Sequence, residues 1–207
     1  MNTVADPHPQ TLTLAVTGAS GSILAHQMLR ALETDARVRQ IHLVVSPSAL
    51  RVLAEETGLS ARNSFIEKAI GHPSLKIVQY AHEDIGAPIA SGSFPVDAMI
   101  VLPCSMGTLA GIAHGLASNL VERAADVCLK ERRRLVLCVR ETPLNLIHIR
   151  NMAAVTEAGA TVFPVIPTFY NAPHSLDDIA RNFVHRVLKH IGLPQPGAYA
   201  WGANPTP

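Results

Sequence analysis

The sequence predicts an α/β fold, a three-layer αβα sandwich around a parallel sheet, Rossmann- or flavodoxin-like. Two observations carry this expectation. The runs TLTLAV (11–16), IHLVV (41–45), Ala98–Leu102 and Leu135–Val139 are apolar on both faces, as strands covered on each side by helices are. Helical patterns alternate with them, which is the order that makes parallel pairs joined by crossovers. Fifteen Pro and 13 Gly punctuate the boundaries with short connections.

Residues 1–10 are polar and proline-containing and read as a loose tail. TLTLAV opens the sheet, and TGASGS (17–22) is a small-residue turn. ILAHQMLRALE (23–33) is a helix with Leu24, Met28, Leu29 and Leu32 on one side. IHLVV is the second strand, closed by Ser46-Pro47-Ser48. Pro47 suits the first turn of a helix running to about Glu56. Residues 58–75 hold a short helix within a connection, KIVQY (76–80) is a strand, and ASGS (90–93) is a flexible loop. From Ala98 to Val121 the chain passes 24 residues without a charge, long enough to span a bilayer. Pro103, Gly107, Gly111, Gly115, His114 and Asn119 within that run favour a buried strand, a tight turn and an internal helix. Asn119–Arg132 is a helix, Leu135–Val139 a strand, Leu144–Ala158 a helix, Thr161–Val165 a strand and Ser175–Ile191 the last helix. The sequence thus reads as one domain over 11–192 with a C-terminal tail over 193–207.

Composition narrows the function classes. Lys+Arg 17 against Asp+Glu 16 is too balanced for a nucleic-acid or anionic-membrane surface. With 48% hydrophobic and 16% charged residues the chain is not disordered, and part of its surface is expected to be hidden by self-association. Cys104, Cys128 and Cys138 form no C-x-x-C pair and no even set, so neither a zinc site nor a disulfide framework is indicated. The N-terminus has no basic segment leading into an apolar one, and the default setting is cytoplasmic and reducing. The ten histidines show no metal-ligand spacing, and no G-x-S-x-G elbow is present.

In parallel sheets ligands lie beyond the carboxyl ends of the strands. The candidate site therefore comprises Thr17–Ser22, Ser46–Ser48, Pro103–Thr108, Arg140–Pro143 and Pro167–Ala172. Gly18, Ala19, Ser20 and Gly21 open a helix, where backbone N–H groups and a hydroxyl can meet an anion. The same residues would serve as a plain tight turn. A dehydrogenase places Asp or Glu after the second strand to hold a ribose; Ser46 there suits a terminal phosphate and favours FMN over NAD. Ser105, Met106, Gly107 and Thr108 form another polar turn at a helix start. Arg123 and Lys130, seven apart, fall about 20° from eclipsed on one helix, commonly a solvated face. Arg140 and Glu141 end a buried strand, where charge needs a reason. With Tyr170 and Arg186, these groups could hold a second phosphate.

Four stretches taken together, TLAVTGASGS, LPCSMGTLAGIAHG, ERAADVCLKERRRLVLCVRETPLNLIHIRNM and PTFYNAPHSLDDIARNFVHRVL, resemble the UbiX-type flavin prenyltransferases, from about Thr11 to Trp201. The resemblance implies a flavodoxin-like fold and a dodecamer with active sites where subunits meet. It implies joining of a dimethylallyl group from dimethylallyl monophosphate to N5 and C6 of reduced FMN, without metal, and supply of prenylated FMN to a UbiD-type decarboxylase. Gly18, Ala19, Ser20, Ser46, Ser105, Met106, Gly107, Thr108 and Arg140 match the family's FMN-binding positions. Tyr170 and Arg186 match prenyl-phosphate ligands, and Arg123, Lys130 and Glu141 the charged groups around that phosphate. Glu56 matches a glutamate near the reacting flavin, and Trp201 an aromatic over the pocket. On this basis Ser20, Glu56, Lys130 and Glu141 are the catalytic candidates.

Two positions depart from the family pattern: Pro47 replaces a lysine, and Ile85 stands where some members carry an active-site tryptophan. Two other readings remain. A flavin-dependent cysteine decarboxylase shares the loop resembling PCSMGT but needs a Pro-x-Met-Asn segment, and here Arg150-Asn151-Met152 stands instead. A non-catalytic flavin carrier for a decarboxylase would need no second phosphate site.

Overall fold

A computed structural model describes residues 10–57, 65–200 and 202. Its elements in chain order are β1 (Gln10–Val16), α1 (Ser22–Thr34), β2 (Val38–Val45), α2 (Pro47–Thr57), α3 (Phe65–Ile70), β3 (Ile77–Tyr80), β4 (Ala98–Cys104), α4 (Met106–Ala113), α5 (Leu120–Lys130), β5 (Arg134–Val139), α6 (Leu146–Glu157), β6 (Thr161–Val162) and α7 (Leu176–His190). A 3-10 turn at Pro88–Ala90 interrupts the crossover into β4.

All pairings are parallel, in the order β3-β2-β1-β4-β5-β6. Of the two arrangements expected, this is the Rossmann order, and the direction of winding reverses between β1 and β4. Every residue of β4 is buried, and β1 and β2 are buried over most of their length. Alternate side chains enter two separate core layers. Leu12, Leu14, Ile41 and Leu43 pack with α1, α2, α3 and α7; Ala15, Val44, Met99 and Val101 pack with α4, α5 and α6. The long charge-free stretch is β4, a turn and α4, and no described helix is long and apolar enough to cross a membrane.

Side-chain caps set the helix starts. Ser105, Asn119, Asn145 and Ser175 each accept a hydrogen bond from the backbone N–H three residues on. This places the start of α6 after Asn145, two residues later than the apolar pattern indicated. The regular part of the last strand is Thr161–Val162, but Phe163 N and Val165 N still donate to Leu137 O and Val139 O, so the chain runs alongside β5 to Val165. At both ends the domain differs from the sequence division. Gln10 belongs to β1, and Leu193 is fully buried in the core. Beyond it Pro194 O accepts from Arg37 and Gln195 Nε2 donates to Asp35, so the first residues of the tail are fastened to the domain.

Candidate functional site

The strand ends that the sequence singled out do gather along the carboxyl edge of the sheet. Thr17, at the switch point, joins its two halves: its hydroxyl donates to Pro103 O (2.8 Å) and accepts from Ser105 N (2.9 Å). Ser105 Oγ caps α4 and lies 3.1 Å from Thr108 Oγ1. Ser46, nearly buried, accepts from Ala49 N at the start of α2 and lies 3.0 Å from Ser48 Oγ. Gly18 sits against Ser48 so closely that a Cβ would lie 2.5 Å from its Oγ, which requires glycine there. Arg140 follows β5 with its N–H on Cys104 O. Thr17 and Ser48 were inside the expected loops but had no role assigned. Their signal was a small hydroxyl at the end of an apolar run.

The turn Gly18–Gly21 differs from expectation in one respect. An anion already occupies the start of α1, and the chain supplies it. Glu56, on the last turn of α2, accepts from Gly21 N (2.9 Å) and Ser22 N (2.8 Å). Gly21 is the N-cap and has no side chain with which to cap, so Glu56 caps α1 from a distance. Burial pushes the Glu56 carboxyl up, but hydrogen bonds from the Ser20 and Ser22 hydroxyls and from the two amides outweigh it. The net effect holds the group below the usual carboxylate range. Ser20 and Glu56 are thereby brought together. The amides of Gly21 and Ser22 are thus taken by Glu56, while further hydroxyls and amides stand at Ser46–Ser48 and Ser105–Thr108.

This donor set is uncharged, placed at two helix starts, and lacks a carboxylate after β2. It fits a phosphate monoester such as the terminal group of FMN and offers no acceptor pair for a ribose diol.

The residues expected to hold a second phosphate do not assemble within one protomer. Arg123 and Lys130 are on α5, and Arg186 is on α7, helices that cover opposite faces of the sheet. Lys130 ends α5, about 16 Å along the axis from the helix start near the carboxyl edge. Arg123 bonds Ala90 O (3.1 Å) and Asp126 (2.7 Å), and Lys130 pairs with Glu131. Arg186 stands over the Phe163 ring (5.8 Å) and lines a cavity of about 750 Å³ with Tyr170, Asn171, Asn182 and His185. Neither Arg123 nor Lys130 lines it. Glu141 is exposed and accepts from Thr142 N. Ile85 is exposed, and Trp201 lies outside the described residues.

The surface carries a further feature. Leu144, Leu146, Ile147 and Ile149 on and before α6 are all exposed, together with Ile166 and Phe169 on the loop after β6. The apolar surface expected from composition is concentrated there.

Comparison with known proteins bears on the chain over nearly its whole length. The family model described as Flavoprotein matches residues 2–187. The chain is 45% identical over 190 residues to a probable UbiX-like flavin prenyltransferase of Bacillus subtilis, covering 92% of this chain and 88% of the relative. Among solved structures it is similar to a dodecameric FMN-dependent UbiX-like decarboxylase from Escherichia coli. The TM-score there is 0.84 and the identity 43%, over 94% of this chain and all of that one. It is also similar to the UbiX protein PadA1 in complex with FMN and dimethylallyl pyrophosphate, with TM-score 0.84 and 40% identity, over 95% and 99% of the two chains. With its Rossmann-order sheet, its phosphate-suited strand ends and this likeness over nearly its whole length, the chain belongs to the UbiX-type flavin prenyltransferases of the Flavoprotein family.

Proposed function

We propose that this protein binds FMN at the β1–β4 switch point and joins a dimethylallyl group from dimethylallyl monophosphate to N5 and C6 of the reduced flavin. The product is prenylated FMN for a UbiD-type decarboxylase. The observation that carries the reading is the uncharged set of hydroxyls and amides at the strand ends, suited to the phosphate of FMN. Tyr170 and Arg186 line one cavity, while Arg123 and Lys130 lie on the other face of the sheet. These four make a second, donor-phosphate set only across a subunit boundary.

Gly18, Ala19, Ser20, Ser46, Ser105, Met106, Gly107, Thr108 and Arg140 hold the FMN. As the allylic C–O bond breaks, its electron pair leaves with the phosphate and reduced-flavin N5 takes the freed carbon, losing its proton. The remaining C=C is then protonated, C6 attacks the resulting cationic carbon, and C6 loses its proton to restore the aromatic ring. Arg123, Lys130, Tyr170 and Arg186 orient that phosphate and stabilise its growing charge, a role that needs fixed cations rather than a protein nucleophile. Ser20 Oγ, donating to the ionised Glu56, provides a proton path at the flavin edge. Glu141 orients the cations.

Because α5 and α7 flank opposite faces, partner subunits complete the site, in an assembly like the dodecamer of the Escherichia coli relative. The exposed apolar stripe on α6 supplies surface for that assembly. Residues 11–192 form the flavoprotein domain, and the tail over 193–207 brings Trp201 over the pocket. Three buried free cysteines and a reduced flavin suit the cytoplasm.

The test is an anaerobic incubation with FMN, a reductant and dimethylallyl monophosphate, with EDTA, followed by the mass of the released flavin. A gain of one five-carbon unit is expected, and unmodified FMN overturns the reading. Sharing of the site is tested by co-assembling Glu56→Gln and Lys130→Gln variants, each inactive alone. Random mixing at equal amounts should restore up to about a quarter of wild-type activity, because intact halves then meet in that fraction of pockets.

A further inference from the structure

The ASGS segment, expected as a flexible loop, is instead clamped by two arginines, Arg123 in the first turn of α5 and Arg133 just beyond its end. Arg123 Nε donates to Ala90 O at 3.1 Å. Arg133 spans two carbonyls with one guanidinium, Nη2 donating to Gly92 O (2.5 Å) and Nη1 to Phe94 O (2.9 Å). Local backbone chemistry aims Arg133 at this target. Helix α5 ends with Arg132 in the left-handed region (φ 57°), Arg132 N donating to Leu129 O and Arg133 N to Cys128 O. This is a Schellman turn built on arginine where glycine is usual. It reverses the chain so that the next side chain points back along the helix toward residues 92–94.

The clamped turn meets Lys130. A Cβ on Gly92 would lie 2.5 Å from the Lys130 ammonium and would collide with the Glu131 carboxylate. The ammonium therefore rests directly on the Gly92 backbone. The Ser91 and Ser93 hydroxyls, 2.9 Å apart, flank the same point.

We propose that Arg133 is a positioning residue for prenyl transfer: by clamping the Gly92 and Phe94 carbonyls it fixes the surface on which Lys130 rests, and so sets where that charge meets the donor phosphate. The inference rests on the role given to Lys130 above. Arg133 itself is turned inward on the Gly92 and Phe94 carbonyls. Lysine cannot reproduce it, because a single ammonium lacks the planar fork that reaches both carbonyls at once.

The experiment uses the full assembled protein with reduced FMN and dimethylallyl monophosphate. Arg133→Met should lower kcat/KM for the prenyl donor about tenfold or more, through a higher KM and a lower kcat together, because Lys130 both binds the donor phosphate and stabilises it as it leaves. FMN affinity should stay within about twofold of wild type, because the strand-end set is untouched. Arg133→Lys should recover part of the kcat/KM. Should Arg133→Met fail to assemble, Gly92→Ala decides: it keeps the arginine, displaces the ammonium, and should lower the same kcat/KM. An unchanged kcat/KM in the assembled Arg133→Met or Gly92→Ala protein overturns the inference, as does an equal loss of FMN and donor. A wild type that prenylates no flavin sinks the functional reading with it, whereas an active wild type beside an unaltered variant sinks the inference alone.

Discussion

Removing the Glu56 carboxylate should destabilise the protein by an amount that depends on pH. In Glu56→Ala, Gly21 N and Ser22 N lose their acceptor, and the Gly21 N-cap has nothing to replace it. Loss of a helix N-cap costs about 0.5–2 kcal/mol, and two amides facing a charged acceptor place this case at about 1–2 kcal/mol. Glu56 is solvent-exposed, which keeps the figure from rising further. For a chain of this length that is a fall of about 2–8 °C in Tm. Glu56→Gln keeps an acceptor oxygen but no charge, and should lose about half as much. The carboxyl is held below its ordinary value of 4.5 in the fold. Its charge therefore stabilises fully above that value, and the benefit is lost as pH falls through the lower folded value. Wild type and Glu56→Gln should differ at pH 7 and converge in strong acid. Urea unfolding at matched protomer concentration, at pH 7 and stepwise below pH 4.5, measures this. Equal midpoints at pH 7, or a difference that persists in acid, would refute the capping role.

Three other outcomes follow from the same geometry. Ser46→Asp keeps a good cap for α2 but sets a charge beside the place proposed for the flavin phosphate. Like charges about 4 Å apart at an effective dielectric of about 20 repel by about 4 kcal/mol, so FMN affinity in a fluorescence titration should fall at least a hundredfold while circular dichroism is unchanged. Ile147→Lys, at an exposed apolar position on α6, should shift light scattering to smaller species without loss of helicity. Burial pushes the Cys104 and Cys128 thiols up to about 12 and Cys138 well above its ordinary value. Native protein at pH 8 should therefore resist iodoacetamide for hours, and all three thiols should react once it is unfolded, as intact mass will record.

The sequence carried the layers and most elements because two-sided apolar strands and amphipathic helices are local patterns. The strand-end loops were legible for the same reason: in a parallel sheet they must fall on one edge. Less visible were contacts between segments distant in the chain. Nothing near Gly21 announces that Glu56 caps it, and Ser20 and Glu56 were paired only through family resemblance. Arg133 drew no reading of its own, since its aim depends on the left-handed conformation of Arg132. The grouping of Arg123, Lys130 and Arg186 around one phosphate also exceeded what one chain can show. Residue type and spacing say that two cations share a helix face, but not that the third lies on the far side of the sheet.

The exposed stripe at Leu144, Leu146, Ile147 and Ile149 also bears on the fate of newly made subunits. A copy that has folded but not assembled displays sticky surface only a few residues beyond Arg140 and Glu141, which are proposed to serve the site. Such a copy is a natural client for chaperones and proteases, and in excess it will aggregate. Surveillance of this kind would tie the lifetime of each subunit to its incorporation, so that the cell's stock of this protein consists of assembled particles with few orphans.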